Sequence, residues 1–113
     1  MRSLAIVGVA AALLFGAKEV VSVPAAEARM PQNWKLWVKM GRCEQPGKGA
    51  FGVYWSHKGP TYQGGLGFYY ATWQHWKLPW YPSNAGYATW RQQMWVANRI
   101  YNRYGGSHPW GCG

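Results

Sequence analysis

Apolar positions after residue 32 recur first at helical spacing. Trp34, Trp37, Val38 and Gly41 fall at i, i+3, i+4 and i+7, which predicts a helix with one buried stripe and with Asn33 as its cap. Pro46 and Gly47 require that helix to end by Gln45. The period then changes. Phe51, Val53 and Trp55 alternate with small or polar residues, as a short strand does, and His57-Lys58-Gly59-Pro60 reads as a turn. The glycine-rich run from Thr61 to Phe68 is expected to pair back onto that strand as a small irregular sheet. A short helix is expected around Tyr70 to Trp76, stopped ahead of Pro79. The last helix carries the strongest local signals. Thr89 and Gln92 form a capping box, Trp90, Met94, Ala97, Tyr101 and Tyr104 make one apolar stripe, and Gly105-Gly106 closes it. Together these elements predict a mostly helical α+β domain with a short Gly-rich β segment between its first and later helices.

The first 28 residues follow another pattern. Met1 and Arg2 make a short basic start, Leu4 to Ala17 an apolar stretch, and Ala26-Glu27-Ala28 a small-x-small cleavage site. Residues 1–28 are therefore expected to be a secretory signal peptide, with residues 29–113 as a single domain. Lys18 and Glu19 interrupt the apolar stretch before it reaches the roughly 20 residues a spanning helix needs, which favours cleavage over anchoring. Export would carry the chain's two cysteines, Cys43 and Cys112, into an oxidising compartment where they are expected to pair. A bridge closing a loop of about 70 residues stabilises by roughly 4 kcal/mol in the chain-entropy model. A domain this small has little core to spare, so such a staple suits it.

Composition narrows the partner. All nine Trp and all eight Tyr lie after the leader, more rings than so small a core can bury, so some must line a surface or cleft suited to sugars or other flat ligands. The formal charge is +9, which outside a cell favours anionic wall polymers or membranes over nucleic acid. Lys35, Lys39 and Arg42 form a basic stripe along the first helix that reads either as a solvated face or as a hold for an anionic wall polymer. Trp73, Trp76 and Trp80 read either as core or as a stacking platform. His57, His75 and His108 are too far apart for a local zinc signature, and neither metal nor cofactor is expected. The chain has no Asp, so no Ser-His-Asp triad can be assembled from it.

Glu44, directly after Cys43, is the only acidic side chain beyond the leader. It reads either as a salt-bridge partner or as a catalytic acid on a helix face shared with Trp37. As a catalyst it would work alone. Ordinary glycosidases use two carboxylates about 5 to 10 Å apart. A single acid still suffices where the substrate supplies the nucleophile, as when the muramyl 6-hydroxyl of peptidoglycan closes a 1,6-anhydro ring.

The order Gly41-Arg42-Cys43-Glu44, Tyr62-Gln63-Gly64-Gly65-Leu66-Gly67-Phe68, Thr72-Trp73, Gln92-Gln93 and Trp110-Gly111-Cys112 resembles the resuscitation-promoting factor domain of actinobacteria, over about Trp34 to Cys112. The resemblance implies a small lysozyme-like fold, Glu44 as catalytic acid, a Cys43–Cys112 bridge, and the MurNAc-GlcNAc backbone of peptidoglycan as substrate. It also implies that Gly64 and Gly65 lie along the sugar groove, with Tyr62 and Gln63 as contacts; Trp73 is a further candidate contact. The implied protein is a secreted, wall-associated monomer meeting glycan strands, anionic wall polymers or a partner wall hydrolase. Two features depart from the pattern: Gly67 stands where many members have Gln, and the stretch from Lys48 to Pro60 is longer than the compact form.

Overall fold

Trp34–Glu44 forms the first helix, α1, as the apolar stripe requires, with Trp37, Val38, Met40 and Gly41 buried. The computed structural model describes residues 30–112, so the expected signal peptide at residues 1–28 lies outside the described residues. Asn33 occupies the N-cap position of α1 but makes no side-chain cap, sitting instead in the left-handed region at φ 58°. Its amide reaches across the domain and donates to Asn98 Oδ1 at 3.1 Å, an oxygen that also accepts from the Trp37 indole at 2.9 Å. Asn98 in turn donates to Gln32 O at 2.7 Å. A buried amide with every group bonded thus fixes the start of α1 to the last helix, where an unpaired one would be destabilising.

The expected strand through Phe51, Val53 and Trp55 does not form. Ala50–Gly52 is a 3-10 turn, and Val53 alone pairs, in an isolated antiparallel bridge with Pro46. Phe51 and Gly52 both take positive φ, 62° and 78°, which breaks any extended run. Val53 and Trp55 are nonetheless buried, so the alternation reported burial rather than pairing. Gly41 receives Val53 closely: a Cβ on Gly41 would lie 2.8 Å from Val53 Cγ1.

The glycine-rich return segment pairs with itself. Strand β1, Tyr62–Gln63, runs antiparallel to β2, Phe68–Tyr69, with Tyr62 opposite Tyr69 and Gln63 opposite Phe68. Gly64 and Gly67, at φ 78° and 62°, shape the turn between them, closed by Gly67 N–H donating to Gly64 O at 3.2 Å. Helix α2, Tyr70–Trp76, follows at once, and helix α3, Trp90–Tyr104, begins with the expected capping box between Thr89 and Gln92. Gly105, at φ 75°, ends α3 with its N–H on Tyr101 O. The architecture is α+β and mostly helical, with one two-stranded sheet.

Trp37, Met40, Val53, Leu66, Trp73, Met94 and Val96 make the centre of the core. Gln93 is fully buried among them and is its polar fastener. Its Oε1 accepts from Gly65 N–H at 2.8 Å, and its Nε2 lies within bonding distance of the carbonyls of Trp55, Ala85 and Ala88. Three segments, around Trp55, Gly65 and Ala85–Ala88, are tied to α3 through that one amide. The Cys43–Cys112 disulfide, with Cα atoms 5.9 Å apart, brings the C-terminal tail back to the end of α1. Trp110 secures the same tail: its indole donates to Leu66 O at 3.0 Å and its ring packs 4.8 Å from that of Trp37.

Candidate functional site

Glu44 is the last residue of α1, placed where the helix ends because Pro46 cannot continue it. It is half-buried and is the only carboxylate side chain among the described residues. One oxygen, Oε2, accepts from the Cys112 backbone N–H at 3.2 Å. The other faces the hairpin turn, where a Cβ on Gly67 would lie only 3.2 Å from Oε1. The disulfide and the glycine therefore hold the carboxylate from two sides.

A cleft of about 380 Å³ opens over Glu44. Its wall is built from Tyr62, Phe68 and Tyr69 of the hairpin, Thr72 of α2, Ile100 of α3, and Pro109, Trp110 and Gly111 of the tail. Tyr62 and Tyr69 stand opposite each other on the two strands with ring centroids 6.1 Å apart, and each is about half exposed at the rim. Trp110 links the cleft to the core, since it packs on both Trp37 and Phe68. Trp37 itself is fully buried and does not line the cleft.

Among the described residues no second carboxylate and no cation lines the cleft. Arg42, the cation nearest in sequence, instead donates from Nε to Phe51 O at 2.6 Å. The site therefore offers one carboxylate, the Thr72 and tyrosine hydroxyls, and aromatic walls. Such a set can exchange one proton with a bound molecule and stack against flat apolar faces. Among the described residues no group of His, Cys, Asp and Glu is arranged to hold a metal ion.

Of the residues expected to touch a ligand, Glu44 and Tyr62 line this cleft and four others do not. Gln63 is buried, with its side-chain oxygen accepting from Ala85 N–H. A Cβ on Gly64 would fall 2.5 Å from Gln93 Oε1, and one on Gly65 would fall 2.5 Å from Trp55 Cε3. Both glycines thus let the hairpin close against the core. Trp73 has no exposed surface and donates its indole N–H to Pro82 O at 2.8 Å. These four residues build the support of the hairpin, and none of them lines this cleft. The suggested platform is also dispersed, because Trp73 is buried while Trp80 is 74% exposed.

Tyr69, Thr72 and Trp110 are cleft residues that pattern reading did not select. The hairpin register would have found Tyr69, the cross-strand partner of Tyr62. Trp110 carried a signal in its place two residues before Cys112, which the disulfide draws to Glu44. Comparisons with known protein families, with curated proteins and with solved structures return no match to this chain.

Proposed function

We propose that this chain is a secreted, wall-associated enzyme that cleaves the MurNAc-GlcNAc bond of peptidoglycan with Glu44 as its single acid. The observation that carries the reading is the position of Glu44 beneath an aromatic-rimmed cleft whose described wall holds no second acid. The resemblance of the Gly41–Glu44 and Tyr62–Phe68 motifs to the resuscitation-promoting factor domain supports the same chemistry, with a role in wall remodelling or resuscitation. In the proposed reaction Glu44 gives its proton to the leaving glycosidic oxygen. The resulting carboxylate then takes a proton, either from the muramyl 6-hydroxyl as that oxygen closes on the anomeric carbon, or from an attacking water. The first route leaves a 1,6-anhydro end and the second a reducing end.

A second reading, a non-catalytic cationic wall-binding module, is favoured by one specific contact. The Cys112 N–H on Glu44 Oε2 gives the carboxylate a structural use without chemistry. Glu44→Gln separates the two, because the amide keeps an acceptor oxygen for Cys112 and cannot supply the proton. Muropeptide release from purified walls is expected to fall by about 10²–10⁴-fold, the usual worth of a positioned acid, while pelleting with walls persists. Undiminished release by the variant would sink the catalytic reading.

A further inference from the structure

The domain carries a second cleft of about 370 Å³, on the outer face of α1, lined by Trp34, Lys35, Val38, Lys39, Arg42 and Phe51. We infer that this groove binds a phosphodiester-linked anionic polymer, independently of the chemistry at Glu44. Lys35, Lys39 and Arg42 follow the helix at i, i+4 and i+7, so their charges lie in a row spanning about 10 Å. Among the described residues no carboxylate answers them. Glu44, the only described acid, is engaged by Cys112 and lies in the other cleft.

Arg42 is exposed but tethered to the groove wall. Its Nε donates to Phe51 O at 2.6 Å, which leaves both terminal nitrogens of the guanidinium for a ligand. The carbonyl it uses belongs to a residue at φ 62°, a conformation that a bulky side chain adopts only when its surroundings impose it. Phe51 is held there by rings on two sides, Trp34 at 5.7 Å and Trp90 at 5.2 Å between centroids. The groove thus has an ordered apolar wall, one fixed fork and two flexible ammonium groups.

This combination selects the occupant. A phosphodiester strand presents one charge per repeat on oxygens that ammonium groups can approach from many directions and that a guanidinium meets two at a time. Its uncharged links would run against Trp34, Val38 and Phe51. A bilayer surface fits less well. None of the large apolar side chains that stand exposed on the described region, such as Trp80, Tyr87 and Trp95, lines the groove, and its own rings, Trp34 and Phe51, are half-buried.

The test is calorimetric titration of the oxidised chain with poly(glycerol phosphate), across a salt series. Lys35→Gln/Lys39→Gln/Arg42→Gln is expected to weaken binding roughly tenfold or more and to flatten its salt dependence. A matched triple of equal charge change, Lys58→Gln/Lys77→Gln/Arg103→Gln, should bind nearly as wild type does. Lys35→Gln/Lys39→Gln, which leaves the Arg42–Phe51 bond intact, should show most of the loss and guards against misfolding of the triple. Glu44→Gln should bind unchanged, which keeps this result separate from the enzymatic reading. Equal weakening by the two triples would overturn the proposal, because net charge alone would then explain binding. So would equal affinity for polygalacturonate, or a groove dependence seen only with phosphatidylglycerol vesicles.

Discussion

Gly67 and Glu44 meet in a space that admits no methyl group without movement. At φ 62° a side chain at residue 67 is strained, and its Cβ would press on Glu44 Oε1 from 3.2 Å. Gly67→Ala is therefore expected to lower stability by about 1–2 kcal/mol and also to displace the carboxylate. Gly105→Ala separates the two effects, because residue 105 has φ 75° but nothing within 4 Å of a new Cβ. Both variants should melt a few degrees early, and only Gly67→Ala should lose muropeptide release; equal activity in the two would refute the crowding argument. Gln93 sets a larger stake at the same scale. Replacing it by Leu keeps the volume but strips the partner from Gly65 N–H and from three buried carbonyls. Unfolding in urea should show a loss of roughly 3 kcal/mol or more, whereas a loss under 1 kcal/mol would mean the hub is dispensable.

At the scale of elements, what was legible followed from how local each signal is. The bounds of α2 and α3 were readable because a Pro stop, a capping box and a paired glycine act within one turn of chain. Thr89→Ala should accordingly lower stability by about 1 kcal/mol, with hydrogen exchange at the Gln92 amide rising before that of mid-helix amides; unchanged exchange there would show that the cap contributes nothing. The segment from Phe51 to Trp55 was misread because alternating burial has the same period whether or not a partner strand exists. Nothing local reveals that Phe51 turns left-handed or that Thr61–Phe68 folds on itself. The candidate site divides in the same way. Glu44 was readable from its solitude and its place after Cys43. Tyr62 and Gln63 were grouped by adjacency, yet successive strand residues face opposite sides, so one reaches the cleft and the other the core. Asn33 stood at the right position for a cap, but a side chain 65 residues away claims it.

For the molecule as a whole, the C-terminal tail joins structure to site. Residues 109–111 form one wall of the Glu44 cleft, and the tail is held by the disulfide, by Trp110 through its indole on Leu66 O and its ring on Trp37 and Phe68, and by the Cys112 N–H on Glu44. The core does not depend on it in the same way, since Gln93 and Trp73 fasten the hairpin and α2 without using any residue past Tyr104. Removing the bridge with Cys43→Ala/Cys112→Ala releases a loop whose closure is worth roughly 4 kcal/mol, a large part of the 5–15 kcal/mol by which small domains are stable. The loss should appear first at the cleft. Helical circular dichroism is expected to survive at low temperature while Trp110 becomes exposed to quencher and the amide of residue 112 exchanges freely. Muropeptide release should then fail at temperatures where the helices still stand. A variant that keeps full release and protected tail amides would show that Trp110 and the Glu44 contact hold the wall of the cleft without the covalent link.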